Sequence, residues 1–186
     1  MSHMSMMSQA GWTAVGSAAC LALALAACGG PAAPPDGPAP TSLAKADPLI
    51  EGLQPTVMGV RVIARYPAPD MGGDSVRAAS RVARQLARAV QARARDLPPG
   101  AMTLTLDLYG IDVDKSGRRT PGRFFSADFD VGDLRDVDLK AKGPAAVLDT
   151  ATDLRIDHAG IDPINAWCAR YPHVGGDWCD MAGATD

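Results

Sequence analysis

Two strand-like runs carry aspartates at alternate positions. Asp107 lies in Met102–Ile111, and Asp128 and Asp130 lie in Arg123–Val131. Paired as strands, these runs would put the carboxylates on one polar sheet face with Arg61 and Arg65. Two carboxyl groups on one surface suit general acid–base work, including hydrolysis of a glycosidic polymer. Cross-strand ion pairing accounts for the same residues without catalysis. A second oxygen-rich stretch, Asp112-Val113-Asp114-Lys115-Ser116-Gly117, echoes the opening of a calcium loop. Its twelfth position is Arg123, where a bidentate glutamate is needed, and it joins two expected strands where helices are needed. Asp and Gly are also ordinary turn residues. His158, near Asp157 and Asp162, has no further partner of catalytic type in sequence. The chain contains no G-x-S-x-G, no H-E-x-x-H and no G-x-x-x-x-G-K. No catalytic residue, metal or cofactor is therefore assigned.

Cys168 and Cys179 lie 11 residues apart in WCARYPHVGGDWC. In an oxidising compartment they are expected to form a disulfide. Closing a loop of that size stabilises by about 3 kcal/mol in the chain-entropy account. A metal site using both thiols and His173 would lack a fourth ligand, and the spacing is not the C-x-x-C of a redox pair. Trp167 and Trp178 are read as apolar cover for the bridge. Arg77, Arg81, Arg84 and Arg88, with Arg95, recur along a helix-like segment. They are the candidate partner-binding residues, facing an anionic surface. The plainer reading is a solvated face whose arginine stems cover apolar edges.

The elements that would position these groups follow from periodicity. Val57–Tyr66 alternates as a strand, with Met58, Val60, Val62, Ala64 and Tyr66 on one face and Arg61 and Arg65 on the other. Asp74 or Ser75 caps a helix reaching about Asp96, with Val76, Ala79, Ala83, Leu86, Val90 and Leu97 as its apolar stripe. Pro98-Pro99-Gly100 follows as a stop. Met102–Ile111 and Arg123–Val131 are the clearest strands, and Asp133–Leu139 is a weaker fourth. Pro144 suits the first turn of a helix over AAVLDTATDL, and Pro163 opens a short helix through Ala169. The order predicts an α+β fold, a two-layer sandwich. A small sheet of three to four strands carries one long helix, with extra short helices at the C-terminus.

The chain has 186 residues, an apolar fraction of 47%, 5% aromatics and a net charge of -3. That suits one domain and gives no support for nucleic-acid binding. No Lys, Arg, Asp or Glu precedes Asp36. Ala14–Ala27 is an apolar run too short to span a bilayer, which needs about 20 residues, and matches the core of a secretory signal. It ends in Leu25-Ala26-Ala27-Cys28, followed by Gly29-Gly30. This resembles the lipobox of bacterial lipoproteins, although no Lys or Arg precedes the apolar run. Cys20, after Ser17-Ala18-Ala19, lacks the large aliphatic residue. The resemblance implies cleavage before Cys28, acylation of Cys28 and a lipid anchor in a membrane, with the domain facing the periplasm or exterior. GGPAAPPDGPAPTSLAKADP follows as an extended proline-rich tether, about 18 residues of which reach at most about 55 Å at ~3.1 Å per residue. The expected organisation is a signal peptide over 1–27, the lipidated cysteine and tether over 28–48, and one α+β domain over 49–186. The expected function is a non-enzymatic envelope lipoprotein that binds or supports a protein partner. The alternatives are an envelope-polymer hydrolase using the sheet carboxylates, and a small-ligand or calcium module using the 112–123 loop.

Overall fold

The computed structural model describes residues 37–70, 72–140, 144–171 and 176–183. These belong to a compact unit spanning Asp36–Asp186. The expected signal segment, Cys28 and His173 lie outside the described residues. None of the described helices is long and apolar enough to cross a membrane.

The strands are β1 (Ile50–Pro55), β2 (Gly59–Pro69), β3 (Thr103–Val113), β4 (Arg119–Asp130) and β5 (Ala151–Ile156). They form one sheet in the order β1-β2-β3-β4-β5. β2 and β3 are parallel, and every other pair is antiparallel. A parallel neighbour cannot be reached by a tight turn, and the return path between β2 and β3 is helix α1 (Asp74–Gln91). Three shorter helices follow: α2 (Val131–Asp136), α3 (Ile161–Arg170) and α4 (Gly176–Met181).

The alternation expected for the three central strands decides which face is covered. Val60, Val62 and Ala64 of β2 align with Leu104, Leu106 and Leu108 of β3. These in turn align with Phe129, Ala127 and Phe125 of β4. All nine side chains are buried, as are Val76, Ala79, Ala83, Leu86 and Val90 on the stripe of α1. A shift in register beside Leu108 inserts Phe124 into β4 as an extra residue. Phe124 and Phe125 are then both buried, and the Phe124 ring lies where a Cβ on Gly110 would be, 2.3 Å away. The bulge thus adds an aromatic ring to the core at the position of a missing side chain.

Several expectations are corrected. The sheet has five strands where three to four were expected. The class holds, because the added strands are both at the edges. β1, IEGLQP, contains Gly52 and Pro55 and has no clean alternation, which an edge tolerates. β5 begins inside AAVLDTATDL, expected as a helix, and runs on to Ile156. That stretch is instead a 3₁₀ turn, Pro144–Thr150, leading into β5, because the open edge of β4 offers a ladder of hydrogen-bonding partners. Asp133–Leu139, expected as a strand, is overlapped by α2, which begins at Val131. Asp130 caps it by accepting hydrogen bonds from the Gly132 and Asp133 amides at 2.6 and 3.2 Å. α1 stops at Gln91, short of Asp96. Arg93 adopts φ 56, and the Ala94 amide bonds back to the Ala89 carbonyl. The folded part also begins earlier than residue 49. Leu43 is fully buried, and Ser42 and Asp47 are buried with it.

Candidate functional site

The face of the sheet opposite α1 is the candidate site. Its side chains follow from the same alternation that builds the core, one residue out of phase. Arg61, Ile63 and Arg65 of β2 align with Thr105, Asp107 and Tyr109 of β3. Beyond them stand Asp128, Ser126 and Arg123 of β4, then Asp153 and Arg155 of β5. At the centre is Asp107, with a side chain only 2% exposed. Arg61 Nε lies 3.6 Å from its Oδ2, and Arg123 Nη1 lies 3.9 Å from its Oδ1. Neither distance is a hydrogen bond, and Asp107 Oδ1 and Arg61 Nε are buried without a hydrogen-bond partner.

Around this centre the charges are matched. Arg123 donates from Nε to Asp157 at 2.5 Å, and this carboxylate holds the guanidinium above its ordinary pKa. Asp128 accepts from the Thr105 hydroxyl at 2.6 Å and from Arg155 Nη2 at 2.8 Å. Arg155 also reaches Asp153 at 3.6 Å, so one arginine bridges two carboxylates that face each other across β4 and β5. Arg65 donates to Glu51 at 2.7 Å and lies over the Tyr109 ring at 5.7 Å. This surface is a lattice of ion pairs over a buried aspartate. Asp107 and Asp128 are brought onto one face, as expected. Asp130 shares that phase, but its carboxylate is occupied with capping α2. Asp153 and Arg155 were missed because Ala145–Leu154 was read as a helix and no element was expected at Arg155. The D-x-R spacing, which places both on one strand face, was the available signal.

The helix arginines lie elsewhere, and each of the four candidates has an intramolecular partner. Arg77 meets the Tyr171 hydroxyl and ring. Arg81 donates to the buried Asp47 at 2.8 and 3.2 Å. Arg84 donates to the Leu139 carbonyl at 2.7 Å. Arg88 reaches Gln85 and the Gly37 carbonyl. The row fastens the N-terminal segment and the segment after α2 onto α1. Asp96 completes the fastening, accepting from the Ser42 hydroxyl at 2.7 Å and from the Leu43 and Ala44 amides at 2.7 and 3.0 Å.

Asp96 and Asp70 give the domain an acid limit. Burial raises the pKa of each, but hydrogen bonds outweigh it and leave both below the ordinary 3.8. For Asp70 the donors are Ser75 and the Gly72 and Asp74 amides at the start of α1. For Asp96 they are Ala44, Ser42 and Leu43. A depressed carboxylate contributes stability that is fully present above its unfolded pKa and is lost as pH falls through the folded value. Urea midpoints are therefore expected to be flat from neutral pH to about 5 and to fall below about 4. The double variant Asp70→Asn/Asp96→Asn should begin lower and show a shallower acid decline. An equally steep decline would assign the limit to other groups.

The 112–123 segment forms the β3–β4 hairpin. Asp114 accepts from the Ser116 amide at 2.8 Å, the Arg118 amide at 3.0 Å and Arg118 Nε at 3.1 Å, and Gly117 takes φ 80. The carboxylate at the third position of the would-be calcium loop closes the turn. Among the described residues no group of three or more His, Cys, Asp or Glu could hold a metal ion. Cys168 and Cys179 are joined, linking α3 to α4 with their Cα atoms 5.9 Å apart. Trp167 and Trp178 meet edge to face at 5.7 Å beside the bridge. No protein-family model matches the chain, and no curated protein or solved structure matches it either.

Proposed function

We propose that the chain is a bacterial envelope lipoprotein, anchored through lipid on Cys28, whose domain binds or supports a protein partner without catalysing a reaction. The anchor reading rests on Leu25-Ala26-Ala27-Cys28 at the end of an apolar run. The non-catalytic reading rests on one observation above all. The only carboxylate buried on the sheet face among the described residues, Asp107, lies beneath Arg61 and Arg123, and its neighbours are already paired. A hydrolase needs a carboxyl group that its substrate can reach, and a side chain 2% exposed offers little access. The open face, with Arg155 about half exposed and Arg61 and Arg65 two-fifths exposed, is the surface assigned to the partner. Charge-patterned surfaces of this kind select partners by complementarity more than by raw affinity.

Replacing Cys28 with serine is expected to move the protein from the membrane fraction to the soluble fraction. The wild-type mature protein should carry the mass of its acyl chains. An unacylated wild-type chain that retains residues 1–27 would end the anchor reading. For the partner, a photocrosslinker at the exposed Thr152 in intact cells should capture an envelope protein, and Arg155→Glu should abolish the capture. Capture that is indifferent to this charge reversal would remove the sheet face from the reading.

A further inference from the structure

We propose that one pole of the domain, formed by Val57, Met58 and Met102, docks onto the surface of the lipid bilayer that holds the anchor. This rests on the lipoprotein reading above. Val57, in the β1–β2 turn, is fully exposed, and Met58 and Met102 are 51% and 56% exposed. They form one patch, since the Met102 and Thr103 amides both donate to the Met58 carbonyl, at 2.8 and 3.1 Å. Isolated exposed apolar residues are ordinary, but three together at a tip leave apolar surface in water that needs a reason.

The chain's route into the domain favours the bilayer as occupant. The Arg95 amide donates to the Thr41 carbonyl, and Ser42 is held by Asp96, on the segment that runs from the end of α1 to Met102. Gly37 is held by Arg88, in the last turn of α1. The chain therefore enters at the half of the domain that bears the patch. Residues 28–36, at ~3.1 Å each, reach at most about 28 Å. The β3–β4 hairpin, at the far end of an 11-residue strand, lies about 36 Å from the patch, at ~3.3 Å per residue. A short tether keeps the patch at millimolar effective concentration next to lipid, so weak insertion suffices. Arg93, Arg95 and Arg135 are exposed at this pole, but so are Asp130, Asp133 and Asp136. Docking therefore depends on apolar insertion and should occur on phosphatidylcholine vesicles without anionic lipid.

The test uses the acylated mature chain in such vesicles. Its other cysteines are acylated, removed or bonded, so Val57→Cys supplies one labelling thiol for an environment-sensitive fluorophore, and Lys115→Cys places the same label on the far hairpin. The expected result is a blue-shifted emission at position 57, none at 115, and loss of the shift at 57 when Met58→Asp and Met102→Asp are added. Both added sites are exposed, so the fold should survive, which circular dichroism checks. Acylated protein with no shift at 57, or with equal shifts at both positions, overturns the docking and leaves the anchor standing. A mass without acyl chains overturns both.

Discussion

Replacing Trp178 with alanine is expected to cost about 3–5 kcal/mol, the largest loss available from a single side chain in this core. Trp178 is fully buried. Its ring meets Phe125 at 5.6 Å and Trp167 at 5.7 Å, both edge to face, the geometry that aromatic quadrupoles favour. The ring packs the six-residue α4 against β4, beside the bridge to α3 and the Trp178 amide's bond to Asp149. A helix that short has no stability of its own, so the cavity would not simply collapse. For a domain of this size the loss corresponds to roughly 10 °C or more in melting temperature. Trp178 Nε1 is buried with no hydrogen-bond partner. Leaving a donor unpaired costs about 1–3 kcal/mol, so Trp178→Phe removes a penalty along with some packing. It should therefore lose far less than Trp178→Ala in urea denaturation. Equal losses would mean that the ring contacts are not what holds α4 in place.

The second large effect is expected at Gly59. It stands opposite Thr103 in the parallel β2–β3 pair, and a Cβ there would lie 1.8 Å from the Thr103 carbonyl oxygen and 2.9 Å from its carbon. The obstacle is backbone, so no rotamer change relieves it. Gly59→Ala must push apart the two central strands or lose their first pairing, at about 3 kcal/mol or more. Gly52, in edge strand β1, has nothing within 4 Å of its hypothetical Cβ. Gly52→Ala should fall within about 0.5 kcal/mol of wild type. Comparing the two urea midpoints isolates the close approach from the general effect of adding a methyl group to a strand. Indistinguishable midpoints would contradict this account.

The parts of the fold readable from sequence were those whose periodicity reports burial directly. β3 and β4 each have one apolar face and one polar face, and α1 has a single stripe, so local pattern and tertiary environment agree. β5 was unreadable because Ala151, Leu154 and their neighbours suit a helix equally well. Only the vacant edge of β4 decides for the strand. Asp133–Leu139 was misread because Val137 and Leu139 alternate with Asp136 and Asp138 as in a strand, whereas Val131 and Leu134, three apart, mark one helical turn, and the cap at Asp130 tips the balance. The candidate site divides in the same way. Asp107, Asp128, Arg61 and Arg65 could be placed on a shared face by counting in twos. Their pairing partners Asp157, Asp153 and Arg155 could not, because those depend on which strand fills the edge.

By itself the chain's sequence determined an apolar run ending in Leu25-Ala26-Ala27-Cys28, a proline-rich stretch after it and an α+β domain with a cysteine pair near its end. These are local properties, set by run length, residue type and spacing. The tertiary structure alone decided that the carboxylates would be neutralised by arginines from neighbouring strands, that the helix arginines would fasten the chain's own segments, and that Val57, Met58 and Met102 would meet at one pole. Each of these depends on distances between residues far apart in sequence, which only the closed sheet and the helix packed on it define.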